Sequence, residues 1–339
     1  MKEFFEPRKL TGSISLNLQE RGKWVADKAA ICKAIIEIVE DYMQQDYKLT
    51  LRQLYYQLVS KDIIWNHDTV YKKISALLDD LRYAGELDWD AIEDRGRVPF
   101  LPYYCIDVDD AINDTIRDYR LNRQEGQSNV IEVWTEKDAI SSILKRVTSK
   151  YHVRLVVNKG YSSSTAMYAA YKRIVSHINE GRRVKVLYFG DHDPSGLDMV
   201  RDIDERIKFF MKNGGQIDDS NAGDLTEGES DLHRMVIERY KCNGGEITAS
   251  TSKNAKKLII VDRFSVEHVG LTAEQIALYN PPPNPAKITD PRAKWYIENH
   301  GEVSYEVDAL EPRIMEKILI DAIESNIDMS AYLSQIKKE

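Results

Sequence analysis

From residue 130 onward the chain changes its hydrophobic grammar, and that change limits the available folds more than any other feature. Val130-Ile131-Glu132-Val133-Trp134, Val153–Val157, Val184–Phe189 and Leu258-Ile259-Ile260-Val261 are short β-rich runs. Helical stretches at 138–150, 163–178 and about 195–212 alternate with the first three. Strands separated by helix-length segments imply βαβ units and a parallel sheet. The Gly/Asp/Ser-rich span 213–230 reads as a mobile insertion. Beyond it, Thr272-Ala273-Glu274-Gln275 is a capping box opening a short helix, and Pro281-Pro282-Pro283-Asn284-Pro285 is a rigid extended loop. A strand near 303–307 and helices near 311–325 and 328–336 close the chain.

The part before 130 is helical. From Leu18 to about Gln45, Trp24, Ala30, Ile31, Ala34, Ile35, Ile38 and Val39 recur at three- and four-residue steps. Thr50 then serves as an N-cap, and Leu51, Leu54, Tyr55 and Leu58 form one apolar stripe. A third helix begins near Asp68 or Thr69, with Val70, Ile74, Leu77, Leu78 and Leu81 on one face and Gly85 just past its end. A turn-rich stretch through Arg97 follows. Three short helices and then turns predict a helix-turn-helix of winged form; a plain helical bundle is the alternative. The expected organisation is an arm and helix at 1–45, a winged-helix domain at 46–98, a linker at 99–129 containing Pro99 and Pro102, and an α/β domain with C-terminal elaboration at 130–330.

The 339 residues suffice for two or three domains, and 42% hydrophobic with 30% charged residues is ordinary globular composition. The formal net charge of −8 argues against a polybasic nucleic-acid wrapper. Cys32, Cys105 and Cys242 are odd in number and far apart, which speaks against a disulfide framework or a cysteine-ligated zinc site. With no secretory segment and no apolar run of about 20 residues, a cytoplasmic protein without membrane contact is expected.

The sharpest chemical feature is Gly190-Asp191-His192-Asp193-Pro194-Ser195-Gly196, directly after the strand at 184–189. Ligands of open α/β sheets bind at the carboxyl ends of strands. Two aspartates spaced by two residues project the same way from extended backbone. Held close, their charges call for a cation, and carboxylate oxygens suit Mg2+ or Mn2+. Glu136-Lys137-Asp138 also follows directly on a strand. If the two strands are parallel neighbours, Glu136 lands beside Asp191 and Asp193 and completes a metal site. His192, between the aspartates, should point away from them into a supporting or core position. Asp308 reads as an N-cap.

A strand ending in Glu136-Lys137, then one ending in Gly190-Asp191-x-Asp193-Pro194-x-Gly196, resembles the toprim domain of topoisomerases, primases and certain nucleases. With Gly160-Tyr161-Ser162 between them, the arrangement is most similar to the A subunit of topoisomerase VI and to the meiotic double-strand-break protein. The resemblance covers about 45–97 and 128–325. It implies an α/β toprim domain with a parallel sheet, preceded by a helical, winged-helix domain that carries a catalytic tyrosine. Leu51-Arg52-Gln53-Leu54-Tyr55-Tyr56 matches that tyrosine run, with Gln53 where an acid is usual, and the carry-over puts the nucleophile at Tyr56. Helix geometry agrees: Tyr55 lies on the apolar stripe, whereas Tyr56 is about 100° further round and should face solvent or a partner. Arg52, four residues earlier, could stabilise a phenolate or hold the scissile phosphate.

The implied function is metal-dependent DNA cleavage, by tyrosine transesterification or by metal-activated water, with Tyr56, Arg52, Glu136 and Lys137 catalytic and Glu136, Asp191 and Asp193 on the metal. A non-catalytic DNA-binding module is the alternative. The chain has no ATPase motif, so an A-type subunit would need a separate ATPase partner. The expected substrate is double-stranded DNA, cut by a homodimer. Residues 47–97 hold eight Lys/Arg against nine Asp/Glu, so any DNA contact depends on arrangement rather than amount. Lys72 and Lys73 on the third helix, Arg95 and Arg97 near the wing, and Lys287 and Arg292 after the proline loop are the candidate contacts.

Overall fold

The computed structural model describes residues 13–18, 22–93, 104–158, 160, 162–213, 226–242, 256, 259–285, 290 and 292–339. The chain divides into two compact units. One comprises Met1–Asp118, Glu274–Pro285 and Val303–Ile314; the other comprises Tyr119–Ala273, Ala286–Glu302 and Met315–Glu339. Two stretches assigned by sequence to the 130–330 domain therefore group with the N-terminal helices.

In the first unit, β1 (Ser13–Leu18) pairs antiparallel with β2 (Gly22–Asp27). The expected helix from Leu18 therefore starts later, at α1 (Lys28–Gln44). The cause is local: the Asp27 carboxylate accepts from the Ala29 backbone N–H at 3.0 Å, which caps the helix there. Two further helices follow, α2 (Leu51–Ser60) and α3 (Asp68–Ala84). Thr50 and Gln53 form a capping box on α2, so the glutamine that stands in the acid's place secures the helix start. Gly85 ends α3 at φ 79°, a left-handed conformation that a side chain would strain. Ile35, Leu54, Leu58, Val70, Ile74 and Leu81 are buried on the facing stripes of these helices. A parallel bridge joins Leu49 to Ile92. The expected wing, with Arg95 and Arg97, falls on 94–103, outside the described residues. After α4 (Val108–Asp118), the unit is completed by an antiparallel pair, Pro283–Pro285 with Val303–Tyr305, and a 3-10 turn at Val307–Ala309. The proline run is thus partly a strand rather than only a loop.

The second unit is an α/β domain. Its strands are β3 (Asn129–Thr135), β4 (Arg154–Val157), β5 (Arg183–Phe189) and β6 (Phe264–Gly270). They form one sheet in the order β4-β3-β5-β6, with every pair parallel. The connecting helices are α5 (Ser141–Tyr151) and α6 (Ser164–Asn179), and α7 (Pro194–Asn213) and α8 (Glu227–Cys242) lie between β5 and β6. Val130, Trp134, Val184, Val186 and Tyr188 share a core with Met167, Tyr171 and Ile174 of α6 and Met199 and Ile203 of α7. Ile131, Val133, Leu187 and Phe189, of opposite parity, are buried as well, as a parallel sheet covered on both faces requires.

Two expectations are corrected here. Ile259–Val261 is helical rather than extended, and the strand is β6, immediately after it. A short apolar run is ambiguous between a strand and a buried helical turn, and Ser265, Glu267 and His268 dilute the β signal of the true strand. The span 213–230 was read as an insertion; its part 214–225 lies outside the described residues, and α8 already begins at Glu227. Among the described residues no helix is long and apolar enough to cross a membrane.

Candidate functional site

The strand order sets the site. The chain passes from β3 to β4 on one side, then returns to place β5 on the other side of β3. Such a reversal opens a crevice at the carboxyl ends of the two strands, where α/β proteins bind ligands. Trp134 stands opposite Tyr188 in the β3/β5 register. Glu136 and the Asp191–Asp193 segment therefore leave the sheet at the same edge.

Each side chain there has an identifiable local role. Asp191 is 4% exposed, and the Lys137 ammonium reaches its Oδ2 at 2.6 Å. Lys137, predicted as catalytic, is thus the positive charge that answers this carboxylate. Asp193 is buried, and its Oδ1 accepts from the Gly196 N–H at 2.6 Å, with Pro194 as the first residue of α7. That is an N-cap with proline at the first helical position. Gly196 is required by contact: a Cβ there would lie 2.3 Å from the Asp191 carbonyl oxygen. Gly190 is required likewise, because its Cβ would lie 2.5 Å from the Tyr188 ring. The two glycines let the acidic turn fold tightly over the strand end.

His192 takes the core position expected of it. It is buried, its Nδ1 lies 3.1 Å from the Leu271 carbonyl oxygen, and its own carbonyl accepts from the Tyr296 hydroxyl at 2.9 Å. Arg292 is bound to both oxygens of Asp290 at 2.7 Å and to Asp198 of α7 at 3.2 Å. Its guanidinium is committed within the unit rather than extended toward a ligand. Lys287 lies outside the described residues, as does Tyr161.

Sequence reasoning missed two groups at this edge. Tyr188 is 1% exposed, and its hydroxyl has no hydrogen-bond partner among the described residues. Burial pushes its phenol well above the usual range, and the negative charges of Glu136, Asp191 and Asp193 push it further. The hydroxyl therefore stays protonated. His268 stands opposite Tyr188 on β6, and the rings are 5.9 Å apart. Burial lowers the His268 imidazole to about 4, helped by the nearby His192 and opposed by a hydrogen bond to the Asp191 backbone. Its Nε2 has no partner among the described residues. A buried polar atom left unpaired costs about 1–3 kcal/mol, and such an atom in a native protein points to a missing ligand, water or ion. The only sequence signal was period-two alternation, which marks both residues as strand residues but says nothing of their hydroxyl and ring nitrogen.

Carboxylate oxygens are the donors that suit a hard divalent cation, but Glu136, Asp191 and Asp193 are not one of the groups of described residues whose ligand atoms lie within 4.8 Å of one another. A second charged feature of this unit is structural. Glu132 of β3 is 1% exposed and is held by Arg173 at 2.5 and 2.8 Å and by the Trp134 indole N–H at 2.9 Å.

The tyrosine candidate sits in the first unit. Tyr55 is core as expected; it is 3% exposed, and its hydroxyl donates to Asn66 Oδ1 at 3.1 Å. Tyr56 departs from expectation, being 8% exposed and edge-on to Tyr55 at 5.5 Å. Position on the helix turned it off the main stripe, but a ten-residue helix packed on several sides leaves little solvent to face. Gln53 and Gln57 are buried too, and Gln57 donates to the Ala309 carbonyl at 3.2 Å. Arg52 lies over the Tyr56 ring at 5.6 Å, yet its Nε and Nη2 donate to Asp308 and Glu306, each at 2.7 Å. Asp308 is thus an ion-pair partner inside a 3-10 turn and not an N-cap. Lys72 is exposed on α3 and Lys73 half-buried. Near α4, Cys105, Asp110 and Asp114 lie within 4.8 Å of one another. Asp110 there accepts from the Ile106 N–H, and Asp114 pairs with Arg117, so this cluster serves the helix start.

Compared with known proteins, the chain matches no family model, and no curated sequence or solved structure matches at a significant level.

Proposed function

We propose that this chain is a metal-dependent DNA-cleaving protein, built on a toprim-type α/β domain preceded by a winged-helix domain, as its likeness to the topoisomerase VI A subunit implies. The observation that supports the reading is the β3/β5 adjacency, which sets the strand ends that precede Glu136 and Asp191 side by side. Glu136, Asp191 and Asp193 would hold Mg2+ or Mn2+. Bound there, the cation would neutralise charge on the phosphoryl oxygens and acidify water at neutral pH. Lys137, paired with Asp191, would offer an ammonium to a phosphate. The buried Tyr56 and the committed Arg52 favour water over tyrosine as the nucleophile. Lys72 and Lys73 of α3 would contact DNA. A two-fold dimer would deliver paired cuts in a duplex, with or without an ATPase partner.

The test is supercoiled plasmid incubated with the protein and Mg2+ or Mn2+, with and without protease before electrophoresis. Free ends that survive Tyr56→Phe but vanish in Asp191→Ala/Asp193→Ala support the proposal. Protein-linked ends lost in Tyr56→Phe would move the nucleophile to the tyrosine. DNA binding without cleavage under every condition would leave a non-catalytic DNA-binding module.

A further inference from the structure

Helices α6 and α7 pack together and present aromatic rings to solvent. Tyr168 of α6 is 40% exposed and Phe209 of α7 is 61% exposed. Phe210 lies between them, its ring edge-on to Tyr168 at 5.6 Å and to Phe209 at 5.9 Å. The same helices bury Met167, Tyr171, Ile174, Ile203, Ile207 and Met211, so the core is filled without the two exposed rings. The charge beside them is positive. Residues 162–179 and 206–213 contain five Lys/Arg (Lys172, Arg173, Arg206, Lys208, Lys212) and no Asp or Glu, in a chain of net charge −8. Three of the five are engaged within the unit: Arg173 holds Glu132, Arg206 donates to the Ser162 carbonyl at 2.9 Å and pairs with Asp202, and Lys208 pairs with Asp204. The exposed Lys172 and Lys212 stand one turn beyond Tyr168 and Phe209 respectively, each on the same side of its helix as the ring. The Lys172 ammonium lies 5.4 Å from the centre of the Tyr168 ring.

Exposed rings and ammonium groups on one face select an anion with flat apolar faces. An acidic peptide would meet the cations and leave the rings in water. A second copy of this face would oppose positive charge with positive charge. A duplex keeps the faces of its bases stacked inside. A single strand offers phosphates and open base faces together, and aromatic side chains stack on such bases with little regard to sequence. We propose that the Tyr168–Phe210–Phe209 face binds single-stranded nucleic acid, with bases stacked on Tyr168 and Phe209 and phosphates against Lys172 and Lys212. This binding needs no metal and stands apart from the cleavage reaction proposed above.

The experiment titrates a fluorescein-labelled oligo-dT strand with the full-length protein in EDTA, follows fluorescence anisotropy, and uses unlabelled oligo-dT, oligo-rU, duplex DNA and polyglutamate as competitors. Saturable binding is expected, displaced by the single strands far better than by duplex or polyglutamate; the stronger of the two single-strand competitors distinguishes DNA from RNA as the preferred strand. Tyr168→Ala/Phe209→Ala should weaken binding about tenfold or more. Phe209→Ser alone should weaken it in the same direction at an unchanged melting temperature, since that ring is mostly in solvent, which keeps the test decisive if the double variant folds poorly. Lys172→Gln/Lys212→Gln should reduce the slope of log affinity against log salt by about 1. Wild-type affinity in both ring variants overturns the inference, as does equal competition by duplex or polyglutamate, or absence of saturable binding.

Discussion

Two polar clusters were drawn from the same resemblance, and they differ in how their charges are met. Around Tyr56, the Arg52 guanidinium is taken up by Glu306 and Asp308 at 2.7 Å each. At the β3/β5 edge, Asp191 has Lys137, but the Tyr188 hydroxyl and His268 Nε2 beside it have no partner among the described residues. A motif whose polar groups are answered by its own chain acts first as structure. One that leaves buried donors and acceptors open carries a free-energy cost that a bound water, ion or ligand would offset. The contrast favours the sheet edge over the tyrosine in the proposed reaction.

The largest expected effect would break that contrast outright. Asp191→Ala/Asp193→Ala should lower plasmid cleavage by at least about a hundredfold, as removal of a transition-state charge stabiliser does; cleavage at the wild-type rate would remove the edge from the chemistry. The next effects concern stability. Arg173→Ala leaves the buried Glu132 with Arg154 at 3.5 Å and the Trp134 indole N–H, and should cost about 3 kcal/mol in urea unfolding. Arg52→Ala removes one ion-pair partner of the fully buried Asp308, and because the arginine is itself partly exposed the cost should be smaller, about 2 kcal/mol. A negligible effect in Arg52→Ala would mean that its guanidinium is available for another role.

Acid sensitivity is more modest. Burial works against the Glu229 charge, but the Arg263 guanidinium and the Thr226 N–H outweigh it and hold the carboxyl at about 2, against an ordinary 4.5. A depressed carboxylate contributes stability that is complete above its unfolded value and is lost as the pH falls toward its folded value. Stability should therefore decline between about pH 4.5 and pH 2, and Glu229→Gln should flatten that part of the profile in pH-dependent unfolding. The smallest effect is expected for Tyr56→Phe: cleavage within about twofold of wild type, since its hydroxyl has no part in a water-driven reaction. A loss near that of the aspartate pair would reverse the comparison.

How far the sequence could be read differs from element to element, for physical reasons. Period 3.6 marked α2 and α3, and Thr50 and Gly85 marked their limits, because capping and left-handed geometry are local properties. Period two and short apolar runs marked β3, β4 and β5. The reading failed where local signals were ambiguous: β2 was absorbed into a helix, and β6 was displaced onto the helical turn before it. Tyr56 was misjudged because a helical wheel gives direction without saying what lies in that direction.

The sequence by itself determined that the chain has an α/β half and that acids follow two of its strands. These follow from periodicity, from residue chemistry and from spacing along one chain. Only the tertiary structure decided that β3 and β5 are neighbours, that Arg52 is spent on Glu306 and Asp308, and that the Tyr188 hydroxyl and His268 Nε2 are buried without a partner among the described residues. Strand order and hydrogen-bond satisfaction depend on residues far apart in the chain, and no local pattern encodes which distant group will arrive to complete a polar atom's bonding.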